Sequence, residues 1–200
     1  NSDGSRGEMC GNGSRCICRF AYENGIAGEQ VRVETDAGIV KGERRSRDTY
    51  RVWLNVPGVL DLERKPDCAY VELGNPGIPH AVKEVPDLTW DMSEKLRPEA
   101  VSLRYDPTFP KGANVNFYRW IGEHTVRVLT YERGVENYTL ACGTGCGSVT
   151  CVLWALGELP GKHLITEVRG GKLEYHIKGS DHVKELIMDG PTEILKIYEV

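Results

Sequence analysis

The sequence lacks any apolar run long enough to cross a membrane. Its longest strictly apolar run is CVLWAL at residues 151–156, whereas a membrane-spanning helix needs roughly 18 or more consecutive apolar residues. The first residues also lack the charged-then-apolar pattern of a secretion signal. We therefore expect no membrane partner and a cytoplasmic location.

An excess of basic charge is also missing. The chain carries 25 Lys and Arg residues against 29 Asp and Glu residues, which gives a formal net charge of -4. Proteins that bind nucleic acids usually present a clustered basic surface. The one basic cluster, at residues 41–51, is interrupted by Glu43 and Asp48, which favours a solvated hairpin edge over a phosphate-binding patch. We expect no nucleic-acid partner.

Seven cysteines are present, but none belongs to the C-x2-C pair that is typical of structural zinc sites. An odd number of cysteines, in a chain large enough to fold without cross-links, favours reduced thiols over disulfides. We therefore expect no bound metal. Four of the cysteines are expected to pack as small apolar residues on helices: Cys16, Cys18, Cys146 and Cys151.

An internal repeat is what the sequence does contain. Residues 10–40 align without a gap on residues 142–172, so that CGNG at 10–13 falls on CGTG at 142–145. Apolar residues at positions i, i+3 and i+4 follow in both copies and predict the buried face of a helix: Ile17, Phe20 and Ala21 in the first copy, and Val149, Val152 and Leu153 in the second.

Each helix-like run ends at a glycine, Gly25 or Gly157, that we expect to cap the helix. A short strand-like run and a turn come next, at residues 31–38 and 164–171. Both copies therefore predict the same order of loop, helix, strand, turn and strand. Two related halves would bring the two cysteines face to face across a pseudo-twofold axis.

The rest of the chain predicts an α+β (mixed α/β) fold with two lobes and a cleft between them. A helix is expected within residues 91–103, interrupted by Pro98, and the proline-rich segments 74–86 and 106–114 are expected to be loops. Runs rich in β-branched and aromatic residues predict further strands, at residues 50–56, 69–73, 115–120, 126–131, 173–177 and 193–200.

A cysteine at the start of a helix is suited to acid–base chemistry. The first turn offers unpaired N–H groups and a partial positive charge, which favour the thiolate and can also hold a carboxylate. Two such cysteines on opposite faces of a carbon can remove a proton from one face and return one to the other. This inverts the stereocentre, as racemases and epimerases do. No cofactor motif is present to serve as an electron sink, so we expect no cofactor.

Three other interpretations of Cys10 and Cys142 stay open at this point. A Cys–His nucleophile pair with His80 as the base would suit a transferase or a hydrolase, but it leaves the second motif unexplained. A redox dithiol usually has both cysteines in one loop, as C-x-x-C. Both cysteines could also be buried small residues at tight turns, without a chemical role.

Longer motifs are spread over nearly the whole chain: NSDGSRGEMCGNG at 1–13, GNPGIPHAV at 74–82, GANVNF at 112–117, YERGV at 131–135, LACGTG at 140–145 and MDGPTEILKIYEV at 188–200. In this order they resemble the diaminopimelate epimerases, which are cofactor-independent amino-acid epimerases of bacterial lysine biosynthesis. The resemblance implies interconversion of LL- and meso-diaminopimelate, for lysine and cell-wall precursors, with diaminopimelate as the small-molecule substrate.

The resemblance also implies which residues form the site. Cys10 and Cys142 would be the acid and base thiols. The implied substrate-binding residues are the amides Asn1, Asn75 and Asn114, the charged pair Glu132 and Arg133, the helix-start residues Gly11, Asn12, Gly143 and Thr144, and His80. The chain runs one residue longer than the family pattern between Glu132 and Cys142.

Two pseudosymmetric lobes are implied as well, each a curved mixed sheet wrapped around its central helix. Residues 1–64 with 190–200 would form the first lobe and residues 65–189 the second, with the active site in the cleft between them. The family's N-terminal portion is not in this sequence, so we expect a further segment to precede Asn1. The sequence leaves open whether the chain forms a homodimer.

Rival functions stay open beside this resemblance. Proline racemases and hydroxyproline epimerases also use two Cys-Gly sites, although a small cyclic substrate would not need the charged contacts of Glu132 and Arg133. Phenazine-biosynthesis-like isomerases are a further relative, but they lack the paired thiols. The rival from a different class is a non-catalytic remnant that keeps the cleft as a binding site. A measurement of activity would separate these alternatives.

Overall fold

The computed structural model describes residues 9–195. Its helices are α1 (Gly11–Glu23), α2 (Ser93–Arg104) and α3 (Gly143–Ala155), with 3-10 turns at Trp90–Met92 and Pro160–Lys162. The strands are β1 (Gln30–Thr35), β2 (Gly38–Arg44), β3 (Thr49–Leu54), β4 (Pro57–Lys65), β5 (Cys68–Gly74), β6 (Gly77–Glu84), β7 (Asn114–Gly122), β8 (Thr125–Glu132), β9 (Asn137–Tyr138), β10 (His163–Val168), β11 (Gly171–Lys178) and β12 (Glu185–Pro191).

These strands form one twelve-stranded sheet in the order β1-β2-β3-β12-β11-β10-β8-β7-β6-β5-β4, with β9 paired to β8 off this path. Neighbouring strands are antiparallel except β6 with β7 and β8 with β10, which are parallel. Strand β12 returns from the second half of the chain to lie beside β3. The predicted α+β (mixed α/β) class is confirmed. The division into lobes at residues 1–64 with 190–200 and 65–189 stays a prediction.

The two helices of the repeat are buried to different extents. Every residue of α3 from Gly143 to Leu153 is buried, because strands β4 to β7 together with β11 and β12 pack around it. Helix α1 packs against β1, β2 and β3 and touches α3. It buries one face, formed by Gly11, Ser14, Arg15, Cys18 and Ala21.

The predicted buried face of α1 is therefore wrong at two positions. Ile17 and Phe20 are 50% and 61% exposed, whereas their counterparts Val149 and Val152 in α3 are buried. The reason is that α1 meets the sheet on one side only, so the face that touches the sheet excludes these two residues. The prediction for Ala21 is confirmed, since it is buried.

All seven cysteines are free thiols, as predicted. Cys18, Cys146 and Cys151 are buried and pack as small apolar residues in the core, as predicted. Cys16 is exposed, so the prediction that it packs in the core is wrong. It lies next to Ile17, on the side of α1 that no strand covers.

The proline-rich segment 74–86 is not a loop throughout, because residues Gly77–Glu84 form β6 between β5 and β7. Pro79 has no N–H to donate to a neighbouring strand. Burial of Ile78, Ala81 and Val82 stabilises the strand in spite of this loss. The segment 106–114 is irregular up to residue 113, and β7 begins at Asn114.

Two further predictions differ from the structure. Helix α2 runs through Pro98 without interruption, because one missing backbone hydrogen bond is offset by the burial of Leu96, Ala100 and Leu103. No strand forms at residues 193–195. The remainder of the strand predicted at 193–200, from residue 196, lies outside the described residues.

The predicted glycine caps and the hairpin predicted around residues 41–51 are confirmed. Gly25 and Gly157 follow α1 and α3 with φ of 66° and 74°, the left-handed conformation that glycine adopts without strain. Residues 41–51 lie in the β2–β3 hairpin, although β1 forms the sheet edge there. None of the helices within residues 9–195 is long and apolar enough to cross a bilayer.

Candidate active site at two helix N-termini

The two cysteines of the repeat occupy equivalent places. Cys10 is the N-cap of α1, with φ -128° and ψ 112°, and Cys142 is the N-cap of α3, with φ -119° and ψ 106°. Each thiol accepts a hydrogen bond from the backbone N–H three residues further on, from Gly13 at 3.3 Å and from Gly145 at 3.4 Å. The repeat in the sequence is therefore a repeat in backbone conformation and in hydrogen bonding.

The starts of α1 and α3 lie against each other. A Cβ atom on Gly11 would lie 2.8 Å from Met188 Cε, and one on Gly143 would lie 3.1 Å from Met188 Sδ, so both glycines border the same side chain. Asn12 Nδ2 donates to the Ala141 carbonyl at 3.2 Å and so links the two copies. Glycine at both positions leaves room for the Met188 side chain, which a Cβ atom at either position would crowd.

A buried positive charge lies close to these helix starts. Arg15 is 6% exposed, its Nη1 lies 3.4 Å from Met188 Sδ, and its Nε has no hydrogen-bond partner among residues 9–195. Burial lowers the pKa of Arg15, and the Tyr175 and Cys10 groups act in the opposite direction. A guanidinium stays charged in proteins even so. The sequence analysis did not single out Arg15.

The thiol of Cys142 is deeply buried. Burial raises its pKa well above the ordinary value, and the Glu132 carboxylate raises it further. A hydrogen bond between Cys142 Sγ and Thr144 Oγ1, at 3.5 Å, and one from the Gly145 N–H lower it by less. The backbone N–H at the helix start lowers the pKa of Cys142, as expected, but burial raises it by more. This thiol is protonated at neutral pH.

Cys10 is exposed and borders an open pocket of about 390 Å³, which residues of α1 and β1 line together. A pocket of about 440 Å³ lies at the other end of α3, beside Val152 and Leu156. Pocket size alone therefore does not identify the site. The two thiols thus share one backbone geometry but differ in their access to solvent.

His80 is completely buried in β6. Its Nδ1 lies 3.2 Å from Asn116 Nδ2, a donor, which assigns the ring proton to Nε2. That Nε2 is buried without a hydrogen-bond partner among the described residues. Burial, with a smaller contribution from the Arg133 charge, lowers the pKa of His80 to about 3. The ring is therefore neutral at physiological pH and offers one N–H donor.

Asn116 connects His80 with the second cysteine, and the sequence analysis missed it. A Cβ atom on Gly145 would overlap Asn116 Oδ1 and would lie 3.2 Å from Cys142 Sγ, so the amide packs directly against the start of α3. A signal was present in the motif at residues 112–117. Asn114 and Asn116 are two residues apart on one strand and therefore share a face of the sheet.

The turn after β8 brings a charged pair to the same region. Asn114 Oδ1 accepts a hydrogen bond from the backbone N–H of Arg133 at 2.8 Å. The Arg133 charge acts on His80 and the Glu132 charge acts on Cys142. The additional residue between Glu132 and Cys142 therefore does not carry this pair away from the second thiol.

The structure gathers most of the predicted site residues into one region. The helix starts contribute Cys10, Gly11, Asn12, Cys142, Gly143 and Thr144. The adjoining strands contribute His80, Asn114 and Glu132, and the turn after β8 contributes Arg133. Asn75 is exposed in the turn between β5 and β6, and Asn1 lies outside the described residues. That these residues bind substrate stays a prediction.

Metal-ligating side chains within residues 9–195 come together at a different place. The ligand atoms of His163, Glu174 and His176 lie within 4.8 Å of one another, on β10 and β11. They are not among the groups at the helix starts.

Burial of His80 predicts a loss of stability in acid. Its pKa is about 3 in the folded protein and about 6.5 in an unfolded chain, so between these values the unfolded chain binds one more proton. The free energy of unfolding is therefore greatest above pH 6.5 and falls on acidification. By pH 4.5 this residue alone should lower it by about 2 to 3 kcal/mol.

Urea unfolding between pH 7 and pH 4.5 measures this effect. The variant His80→Gln cannot take up the proton, so its unfolding free energy should fall less steeply than that of the wild type. His182→Gln, which changes an exposed histidine, is the matched control and should follow the wild type. Equal pH dependence in His80→Gln and wild type would contradict the assignment of a neutral His80.

The sequence profile of the diaminopimelate epimerases matches residues 1–54 and 73–195. A diaminopimelate epimerase of Aquifex aeolicus is 40% identical over 204 residues, covering 100% of this chain and 71% of the relative. One from Archaeoglobus fulgidus is 38% identical, covering 88% and 66%, and one from Methanocella arvoryzae is 43% identical, covering 78% and 60%. The chain thus spans about two thirds of the length of these curated relatives.

Solved structures share the fold at lower identity. A hydroxyproline epimerase from Agrobacterium vitis superposes with a TM-score of 0.69 at 21% identity, covering 92% of this chain and 64% of that one. A phenazine biosynthesis protein of Bacillus anthracis gives a TM-score of 0.66 at 13% identity, covering 92% and 73%. At these identities the likeness concerns the fold alone. By its sequence, the chain belongs to the diaminopimelate epimerase family, a family of isomerases.

Proposed function

We propose that the intact protein interconverts LL- and meso-diaminopimelate through the two thiols of Cys10 and Cys142, without a cofactor. The observation that carries the proposal is the pair of cysteine N-caps with matching geometry on two helix starts that lie against each other. Such a reaction serves lysine and cell-wall precursor synthesis, which takes place in the cytoplasm.

The substrate α-carboxylate would bind between the two helix starts. The N–H groups of the first helical residues have no partner within a helix, and the positive ends of both helix dipoles favour an anion there. Asn12 and Thr144 follow Gly11 and Gly143 in the first turn of each helix and would stand beside the carboxylate. The buried charge of Arg15 adds to this positive potential. These groups stabilise negative charge that develops on the carboxylate when the α-proton leaves.

In one direction of the reaction, the thiolate of Cys10 takes the α-proton. An S–H bond forms, the C–H bond breaks, and its electron pair delocalises into the carboxylate. The Cys142 thiol then gives its proton to the opposite face, which forms the inverted C–H bond and leaves a thiolate. The reverse direction exchanges the two roles. The protonated, buried state of Cys142 fits the proton donor in this scheme.

Substrate binding would also set the protonation of Cys142. Burial and the Glu132 carboxylate keep its pKa high. A substrate ammonium group beside Glu132 would offset that negative charge and stabilise the Cys142 thiolate. Thiolate formation at this position would then accompany occupancy of the site.

The remaining predicted residues would select diaminopimelate over smaller amino acids. Glu132 and Arg133 offer a carboxylate and a guanidinium, which match the ammonium and carboxylate groups that this substrate has at each end. His80 contributes its Nε2 donor, and the amides of Asn1, Asn75 and Asn114 would complete the contacts. Proline has no distal charged groups to meet this pair.

Proton exchange in D2O tests the function directly. We expect deuterium to enter the α-position of diaminopimelate while the LL and meso forms drift to equilibrium, as followed by NMR. Incubation with proline and with hydroxyproline is the matched comparison. Exchange with proline or hydroxyproline alone would replace the proposal with a proline racemase or hydroxyproline epimerase function. Absence of exchange with all three would leave a non-catalytic binding protein.

A further inference from the structure

We propose that His163, Glu174 and His176 form a binding site for a divalent transition-metal ion on the face of β10 and β11 that lies away from the helix starts. The inference concerns a second site and is independent of the proposed epimerase activity. Imidazole and carboxylate ligands together suit Co²⁺, Ni²⁺, Cu²⁺ and Zn²⁺.

Strand pairing places the three side chains together. His163 of β10 and His176 of β11 are directly opposite each other in the antiparallel register. Residues directly opposite on one face bring their side chains into contact, and a residue two positions along the strand shares that face. Glu174 is two residues before His176 and therefore points to the same side. The backbone thus supplies the arrangement without any loop.

The side-chain geometry is close to that of a three-ligand metal site. His163 Nε2 lies 2.7 Å and His176 Nε2 lies 3.4 Å from Glu174 Oε1. The two imidazole rings stack with centroids 4.8 Å apart and planes 20° from parallel. Ligand atoms of a tetrahedral ion, at about 2.0–2.2 Å from the metal, are separated by similar distances. Small rotations of partly exposed side chains would bring all three onto one ion.

Neighbouring groups shape the site. Asp189 Oδ2 lies 3.5 Å from His176 Nε2, but this carboxylate already accepts two hydrogen bonds from Arg51, at 2.8 and 2.6 Å. Asp189 is therefore engaged with the guanidinium, and solvent would complete the coordination. The three ligating side chains are 28%, 46% and 34% exposed. The Nε2 atom of His163 is itself buried, so the ion reaches it as these side chains rotate.

One divalent ion would engage both imidazole nitrogens and the Glu174 carboxylate at once, since all three face one point. Binding would also join β10 to β11, the strand from which Tyr175 donates a hydrogen bond to the Gly143 carbonyl at 2.7 Å.

Titration of the chelator-treated, dialysed protein with Co²⁺ tests the proposal, followed by calorimetry and by visible absorption. We expect one equivalent to bind, with a rise in the melting temperature and without a thiolate-to-cobalt charge-transfer band. His176→Asn and the near-isosteric Glu174→Gln should each weaken binding by at least about tenfold. His182→Asn changes an exposed histidine paired with Asp181 and should bind as the wild type does.

The outcomes that overturn the proposal are distinct. Equal Co²⁺ affinity in the wild type and both site variants would show that the ion binds elsewhere. An intense charge-transfer band would place it on the cysteines. No binding at millimolar Co²⁺ would show that the three residues are polar surface residues and do not form a metal site. Circular dichroism of the metal-free variants separates lost ligands from lost folding, because Glu174→Gln changes one charge and no packing.

Discussion

Replacing Cys142 with alanine is expected to stop the interconversion of LL- and meso-diaminopimelate while leaving the fold intact. Alanine has no ionisable side chain, so the variant loses the proposed acid or base. Removing an acid or base that acts in the transition state lowers the rate by about 10²–10⁴. The fold should survive because alanine keeps the helix start and removes one atom. Cys142 accepts its hydrogen bond from the Gly145 N–H at 3.4 Å, which is a weak contact.

The same variant should separate proton removal from inversion. In D2O, Cys10 can still take the α-proton from its own face and return deuterium to that face. We therefore expect Cys142→Ala to exchange the α-proton of one stereoisomer without changing its configuration, and Cys10→Ala to do so with the other. NMR of the recovered diaminopimelate shows both deuterium content and configuration.

Cys146→Ala is the matched control for this experiment. Cys146 lies one turn further along α3 and is completely buried, so its replacement perturbs the same helix while leaving the Cys142 thiol in place. It should keep normal turnover. Normal inversion in Cys142→Ala, or equal losses in Cys146→Ala and Cys142→Ala, would refute the two-thiol mechanism.

The sequence predicted the two helix starts well because their signals are local. A cysteine, two glycines, a helical run and a capping glycine fix backbone conformation over about one dozen residues, and the repeat supplies each signal twice. In the structure, the backbone φ and ψ angles of Cys10 and Cys142 agree with each other to within about ten degrees. Helix-start and capping signals act through neighbouring residues, so they do not depend on the tertiary contacts of the rest of the chain.

Burial could not be predicted in the same way, because it depends on how many strands reach each helix. Ile17 and Val149 are equivalent in the repeat, yet the first is half exposed and the second is fully buried. The strand at Gly77–Glu84 was likewise missed, since the prolines of that segment indicate a loop and only pairing with two neighbours makes it a strand. The sequence pattern of this segment does not show that β5 and β7 will pair with it.

The candidate site shows the same limit. Arg15 and Asn116 are both buried near the helix starts, and burial also raises the pKa of Cys142. None of these features can be seen in the sequence. Asn116 is completely buried, accepts a hydrogen bond from Thr130 Oγ1 at 2.9 Å, and donates to the Ala81 carbonyl at 3.0 Å. A sequence motif shows that such a residue is present but does not show that it packs against the start of α3.

Gly145→Ala is expected to destabilise the protein and to reduce its activity sharply. The new Cβ would overlap Asn116 Oδ1. That amide is held by several hydrogen bonds and has no room to move, so either the amide or the first turn of α3 must shift. Overpacking of this kind costs about 1–3 kcal/mol. A shift of α3 would also displace Cys142, and the proposed mechanism needs this thiol at a fixed position relative to the substrate carbon.

Gly13→Ala is the matched control, because the repeat places Gly13 at the position in α1 that Gly145 has in α3. Its Cβ would meet Cys10 at 3.5 Å, an ordinary contact, and alanine favours a helix over glycine by up to about 1 kcal/mol. We therefore expect unchanged or slightly increased stability for Gly13→Ala and a loss for Gly145→Ala, as measured by urea unfolding. If Gly13→Ala and Gly145→Ala lost equal stability, glycine would be required by the backbone conformation that the two positions share. Opposite effects would show that glycine is required because α3 is enclosed by strands and α1 is not. This difference in burial is the largest one between the two halves of the site.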